Sequence, residues 1–253
     1  INREEIVWPV ILDNEYETWK SFGNRYWPAK YLIGTDGQLS YWHFGEGAYV
    51  ETENAIRKAL TEAVWDVYGI PIGGIDSADR DPVADRITRE LYGGYERNYT
   101  QFGLYAGQKQ YYIEPDSTRE YVDDENYTPN KWYLQGLWTN GVESINHARS
   151  TSNLEDHIAF QFVGRSANVV VNPMESEPFD VYVEIDGRPL KSNEAGMDVL
   201  FGEDGRSYFT VTEPRLYAFL ETPEFGQHIV KLASDSDDFT IFAFTFGANE
   251  DGI

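Results

Sequence analysis

Residues 22–33 read Phe-Gly-Asn-Arg-Tyr-Trp-Pro-Ala-Lys-Tyr-Leu-Ile, and residues 34–44 continue Gly-Thr-Asp-Gly-Gln-Leu-Ser-Tyr-Trp-His-Phe. Ala29–Ile33 and Gln38–Phe44 are rich in β-formers, and Gly34-Thr-Asp-Gly37 separates them, so the segment predicts a β-hairpin. Upstream, Val7-Trp-Pro-Val-Ile-Leu12 is a short apolar run ending in Asp13-Asn14, which reads as a strand followed by a helix start. Glu15–Phe22 reads as a short helix stopped by Gly23. Downstream, Ala55/Ile56, Ala59/Leu60 and Ala63/Val64 recur at four-residue spacing, predicting an amphipathic helix over Glu51–Val64. The order is strand, helix, hairpin, helix: an α/β region.

The pattern then changes. Gly69–Pro82 is dense in Gly, Pro and Asp without periodicity and reads as a linker. Asp85–Tyr92 allows one or two helical turns. From about Tyr99 the chain is β in rhythm. Strands are expected at Ile158–Val163, Ala167–Val171, Val181–Ile185, Ser207–Val211, Leu216–Leu220, His228–Ala233 and Phe239–Phe246, with turns at Asp186-Gly187 and Asp204-Gly205. Many short strands with regular turns argue for a β-sandwich or jelly roll. The last strand, apolar on both faces, belongs in its interior.

Composition narrows the function classes. The 253 residues are 41% hydrophobic and 15% aromatic, enough for a substantial core. Net charge is −23, from 43 acidic and 20 basic residues, which disfavours nucleic acid and anionic membrane surfaces. No apolar run approaches membrane-spanning length. Cysteine is absent, so this segment has no disulfide, thiolate metal site or cysteine nucleophile. The opening Ile1-Asn-Arg-Glu-Glu5, without Met or a secretory leader, reads as a processed or trimmed segment.

The run Trp8-Pro-Val-Ile-Leu-Asp-Asn14, Trp19, Phe22–Ile33, His43-Phe-Gly-Glu-Gly47 and Glu51-Thr52 resembles the extracytoplasmic C-terminal part of DipZ-type proteins. So do Tyr92-Gly-Gly-Tyr-Glu-Arg97, Leu134-Gln-Gly-Leu-Trp138, Asp186-Gly-Arg-Pro189, Val211–Tyr217 and Ala243-Phe-Thr-Phe-Gly247. Proteins of that type join a CcdA-like membrane domain to a TlpA/AhpC-like thioredoxin domain, followed by a carbohydrate-binding-module-like β-sandwich. The resemblance implies α/β plus all-β architecture: a partial thioredoxin-like fold followed by an antiparallel jelly-roll β-sandwich. It divides the chain into the C-terminal half of a thioredoxin-like domain (1–66), a linker with a short helix (67–98) and the sandwich (99–253).

It further implies that Pro28 is the cis-proline of the thioredoxin loop and that Tyr26 and Trp27 line the substrate groove with it. The family's Cys-X-X-Cys would lie before Ile1, so the chain itself is expected to lack dithiol activity. The strand against which Ala29–Ile33 would normally pair is missing with it. The exposed edge is expected to be covered by another copy, by the second domain or by a fragment carrying the missing half. The implied parent is an extracytoplasmic thiol–disulfide oxidoreductase, periplasmic or cell-surface, with a protein thiol or disulfide substrate and a CcdA-like membrane partner. The competing reading is a non-catalytic carbohydrate- or protein-binding protein that keeps the thioredoxin-like part as scaffold.

For glycan binding the aromatics of the second region are the best lead, since sugar C–H faces rest on aromatic rings. Trp132, Tyr133, Trp138, Tyr182, Tyr208 and Tyr217 are numerous there, and Trp132, Trp138, Arg215 and Tyr217 are the expected carbohydrate-binding residues. No cofactor is implied. The acidic clusters Tyr121-Val-Asp-Asp-Glu125 and Asp235-Ser-Asp-Asp238 leave room for a structural Ca²⁺ but lack EF-hand spacing. His43, His147, His157 and His228 show no zinc-site spacing and read as packed or surface strand residues. No Gly-X-Ser-X-Gly elbow appears, Gly45-Glu-Gly47 is too short to cradle a phosphate, and carboxylate pairs in so acidic a chain do not single out a glycosidase.

Overall fold

The computed structural model describes residues 6–45, 47–73, 87–98, 104–173 and 177–248. The chain divides into two compact units, Ile1–Asp81 and Pro82–Ile253. Most of the expected linker, 74–82, lies outside the described residues.

In the first unit, helix α1 spans Glu17–Ser21, strands β1 and β2 span Ala29–Ile33 and Leu39–Phe44, and helix α2 spans Tyr49–Glu62. The Asp13 carboxylate starts α1 by accepting the backbone N–H groups of Thr18 and Trp19, both at 2.9 Å. Those same N–H groups hold its pKa below the ordinary carboxylate value. β1 and β2 form the expected hairpin, closed by Gly34 N–H to Gln38 O at 2.8 Å. Successive β1 side chains face opposite ways. Tyr31 meets Phe22 beyond the end of α1, with ring centroids 4.8 Å apart. Lys30 lies over the Tyr49 ring of α2 at 3.9 Å. Arg57 then ties the following chain to α2, pairing with Glu53 at 2.6 Å and donating to Pro71 O at 2.7 Å.

Val7–Leu12, expected as a strand, is not one: it has no ladder partner among the described residues, and Val7, Trp8, Val10, Ile11 and Leu12 are exposed. An apolar run becomes a strand only when a neighbour takes its backbone groups. Among the described residues, β1 likewise pairs on one edge only, and no hydrophobic side chain of this unit is buried.

The second unit carries a core. Its strands are β3 (Leu91–Tyr92), β4 (Thr118–Tyr121), β5 (Trp132–Asn140), β6 (Ile145–His147), β7 (His157–Val171), β8 (Phe179–Ile185), β9 (Arg188–Pro189), β10 (Leu200–Phe201), β11 (Ser207–Val211), β12 (Arg215–Ala233) and β13 (Thr240–Gly247). A short helix, α3 (Tyr95–Asn98), and a 3-10 turn at Lys109–Tyr112 lie between β3 and β4. The strand order is β10-β11-β8-β12-β7-β13-β6-β5-β4, with every named pair antiparallel. Asp85–Tyr92 is not helical where described: Leu91 and Tyr92 form β3 against Phe244 and Ala243 of β13.

The hub is β7. Two strands predicted separately, Ile158–Val163 and Ala167–Val171, are one continuous strand, as are Leu216–Leu220 and His228–Ala233 in β12. β12 pairs with β7 from Arg215↔Val171 to Ala233↔His157, with register shifts between Ala218 and Leu220 and between Glu221 and Gly226. On its other edge β7 pairs first with β5 (Trp132↔Phe160) and then with β13 (Ile241↔Val171). Gly164 sits at the changeover, opposite Gly226, where a Cβ would come within 3.0 Å of Gly247 O. Glycine lets the backbones approach there. Buried side chains alternate along β5, β8 and β11 as a half-buried strand requires. They meet in one cluster that includes Trp132, Phe160, Phe209, Phe219 and Phe244. Each fully buried large apolar side chain contributes roughly 1.5–3 kcal/mol over an exposed one.

A surface clamp holds the loop after β9. Arg188 donates to both carboxylate oxygens of Glu194, at 2.7 and 2.8 Å, and Lys191 N–H adds a third bond at 2.9 Å. Chiefly through Arg188, and against the opposing effect of burial, the Glu194 pKa falls from 4.5 to about 2. A depressed folded-state pKa gives stability that is full above the unfolded value and is lost as pH falls toward the folded one. Wild-type and Glu194→Gln protein should therefore differ in melting temperature at neutral pH and converge between about pH 5 and pH 2. A difference independent of pH in thermal melts would contradict the clamp.

Candidate functional site

Two surfaces were expected to carry function, and the structure treats them differently. In the first unit Tyr26, Trp27 and Pro28 lie together at the start of β1, and the Trp27–Pro28 peptide bond is cis. Tyr26 and Trp27 are 56% and 59% exposed. Trp27 meets Trp19 edge-on at 4.9 Å, and Tyr26 leans on Phe44 at 5.2 Å. Pro28 O accepts Gly45 N–H at 2.8 Å, which fixes the loop to the end of β2. The result is an aromatic rim beside a strand edge with no ladder partner among the described residues. Such an edge can hydrogen-bond an extended chain. It contains no sulfur nucleophile, because the chain has no cysteine.

In the second unit the expected sugar-binding aromatics are core residues. Trp132, Trp138 and Tyr217 are each completely buried. Trp132 donates its indole N–H to Tyr92 O at 3.0 Å and meets the Tyr111 ring at 5.0 Å. Trp138 donates to Gln135 O at 2.8 Å and lies against His147 at 5.0 Å. The Tyr217 hydroxyl donates to Glu213 O at 2.7 Å and accepts the N–H groups of Thr212 and Glu213, while its ring stacks on Phe209 at 5.2 Å. Rings enclosed in this way have no face to offer a sugar. Arg215 is spent too: it forks onto Asp198 at 3.0 and 2.9 Å and covers the Tyr217 ring at 3.7 Å. These four expectations are corrected. Of the aromatics singled out in the sequence, Tyr182 and Tyr208 are the partly exposed pair, side by side in neighbouring strands with centroids 5.7 Å apart.

His147, His157, Asp123 and Asp235 are engaged in bonds within the fold. His147 Nε2 is 3.0 Å from Asp156 Oδ2, and His147 Nδ1 is 2.7 Å from Ser236 O. Arg149 adds two bonds to Asp156, at 2.7 and 2.6 Å, and Leu137 N–H another at 3.1 Å. Burial raises the Asp156 pKa, but these donors together outweigh it and hold the carboxyl below its ordinary value. Gly136 has φ +92°, and a Cβ there would come within 2.0 Å of the Asp156 carboxylate. Asp123 follows the same pattern: burial pushes it up, while bonds from His157 and Tyr127 and the Glu125 N–H hold it down. Asp235 accepts Thr151 Oγ1 and Leu154 N–H. Among the described residues no three His, Cys, Asp or Glu gather to hold a metal ion.

Three likenesses to known proteins bear on this arrangement. A family model described as thioredoxin like C-terminal domain matches residues 88–247. Protein DipZ of Mycobacterium bovis (strain ATCC BAA-935 / AF2122/97) is 34% identical over 135 residues, which is 53% of this chain and 18% of the relative. Protein DipZ of Mycobacterium tuberculosis (strain CDC 1551 / Oshkosh) matches to the same extent. The chain thus spans about a fifth of the length of the curated relatives it matches. Among solved structures, a family two carbohydrate esterase from Clostridium thermocellum in complex with cellohexaose aligns at 17% identity over 44% of this chain and 28% of that one, with a TM-score of 0.30. A likeness of that size carries no argument about this chain.

The corrected roles are testable by stability. Trp138→Ala should cost about 3–5 kcal/mol in urea unfolding, as expected for a buried Trp. Asp156→Asn should cost about 1–3 kcal/mol, because it weakens the bonds that Leu137 N–H, His147 and the partly exposed Arg149 make to a buried carboxylate. Either change passing with less than about 1 kcal/mol would contradict the burial described.

Proposed function

Because the chain belongs to the thioredoxin-like C-terminal domain family, we propose that it is the cysteine-free part of a DipZ-type, extracytoplasmic thiol–disulfide oxidoreductase. In this reading residues 1–66 are the second half of a TlpA-like domain, 67–98 link the two parts, and 99–253 form a carbohydrate-binding-module-like jelly roll. The observation that carries the proposal is the construction of the first unit. Among the described residues it is a helix–hairpin–helix piece with one unpaired edge on β1 and no buried hydrophobic side chain. A sheet of this kind is completed by another strand and the helix that follows it.

The completing half would bring the dithiol. Its first thiolate attacks a substrate disulfide, forming a mixed disulfide and releasing one substrate thiolate. The second thiol, as thiolate, then displaces the other substrate sulfur and leaves an enzyme disulfide. A CcdA-like membrane partner would restore the dithiol. This chain's own share is positioning: Tyr26, Trp27 and Pro28 rim the groove beside β1. Among the described residues no helix is long and apolar enough to cross a membrane.

The test is to place the Cys-X-X-Cys half of a DipZ relative ahead of Ile1 and measure insulin disulfide reduction. The fusion should accelerate reduction above the dithiothreitol background, and its β1 amides should gain hydrogen-exchange protection. The 253-residue chain alone should do neither. A folded fusion with no acceleration would sink the proposal. A dimer of the chain alone with protected β1 amides would instead assign the edge to a second copy.

A further inference from the structure

We propose that an open cleft on one sheet face of the second unit binds a single polyhydroxylated ring, that is, one sugar residue. The inference rests on reading this unit as a carbohydrate-binding module and moves its site away from the aromatics that proved buried. The cleft is about 220 Å³ and includes Tyr182, Glu184, Arg206, Lys231, His157 and Ala233 in its walls. That is smaller than the roughly 300–1,000 Å³ of pockets for drug-sized ligands, so it suits one small ring rather than an extended molecule.

The strand ladder builds it. Tyr208 of β11 lies opposite Tyr182 of β8, Tyr182 opposite Ala233 of β12, and Ala233 opposite His157 of β7. Paired residues share a face of the sheet, so two tyrosines and a histidine flank one alanine. The small Ala233 side chain leaves the floor open. In the next row Lys231 lies opposite Glu184. Among the described residues neither side chain forms an ion pair or hydrogen bond, although opposite charges across a ladder commonly meet. Both are half-buried. The other charged and titratable groups of the cleft are already engaged. Arg206 pairs with Asp204 at 2.5 Å and stacks over Tyr182 at 4.4 Å. His157 Nε2 is 3.1 Å from Asp123, so the imidazole is held in place.

The two unspent groups define the ligand. A carboxylate only accepts hydrogen bonds and an ammonium only donates them. A simple anion would meet Glu184, and a simple cation would meet Lys231. Hydroxyl groups both donate and accept, so neighbouring hydroxyls on one ring satisfy both side chains without a net charge. Tyr182, in the cleft wall, supplies apolar ring surface for the C–H edge of that ring.

The test uses the full chain. Methyl glucoside, methyl galactoside, methyl mannoside and, as a zwitterionic control, glycylglycine are titrated while the ring signals of Tyr182 and Tyr208 are followed by NMR. Retention on cellulose, chitin and mannan is measured in parallel. At least one glycoside should shift both tyrosines, and the double variant Lys231→Met/Glu184→Gln should bind about tenfold more weakly or worse with an unchanged melting curve. Tyr182→Ala, in the cleft wall, should weaken binding without loss of fold. Polysaccharide retention that survives in the double variant would overturn the cleft and leave the module reading standing. No retention of wild type on any polysaccharide, together with no glycoside shift, would overturn both. Shifts with glycylglycine alone would overturn the ligand class.

Discussion

The ladder between β7 and β12 is the constraint on which the second unit depends. It runs from Arg215↔Val171 to Ala233↔His157, and both strands are long enough to serve other partners at each end. β7 hands its free edge from β5 to β13, and β12 takes β8 at Val230–Ala233. β7 changes partner at Gly164, where a Cβ would meet the backbone Gly247 O at 3.0 Å, and opposite it a Cβ on Gly226 would meet the His228 ring at 3.0 Å. Everything buried follows from that path. Trp132, Phe160 and Phe244 meet because β5 and β13 both lie on β7. The outer cleft exists because the same ladder sets Tyr182, Ala233 and His157 in one row.

The first unit shows what a chain looks like without such a ladder. It has the right local signals, with an Asp13 that starts α1, a tight hairpin and an amphipathic α2, and each of these forms. None of its apolar side chains is buried among the described residues, and one edge of β1 and the whole of Val7–Leu12 stay unpaired. Local propensity suffices to shape the pieces. A further layer is needed to bury them.

The hairpin was legible because Gly34-Thr-Asp-Gly37 punctuates two β-rich runs, and Ser207–Val211 because its alternation is strict. Other features were not. Gly164-Arg-Ser166 looks like a turn between two strands, yet long-range pairing on both edges carries β7 straight through it. β5 was hidden by Gly136, whose positive φ answers to the buried Asp156 rather than to any local signal. Trp132, Trp138 and Tyr217 have the composition of a sugar platform, and only strand register decides that they face inward. Tyr182 and Tyr208, of the same residue type, face outward. Lys231 and Glu184 carried no signal at all, since their meaning lies in being opposite each other across strands far apart in sequence.

Hydrogen exchange of the backbone amides in the 253-residue chain tests this division most directly. The account predicts the slowest exchange in β7, β12 and β13, at rates set by global unfolding of the second unit, and fast exchange throughout Val7–Leu12 and along β1. Protection in β1 equal to that in β7, in a monomeric sample, would contradict it.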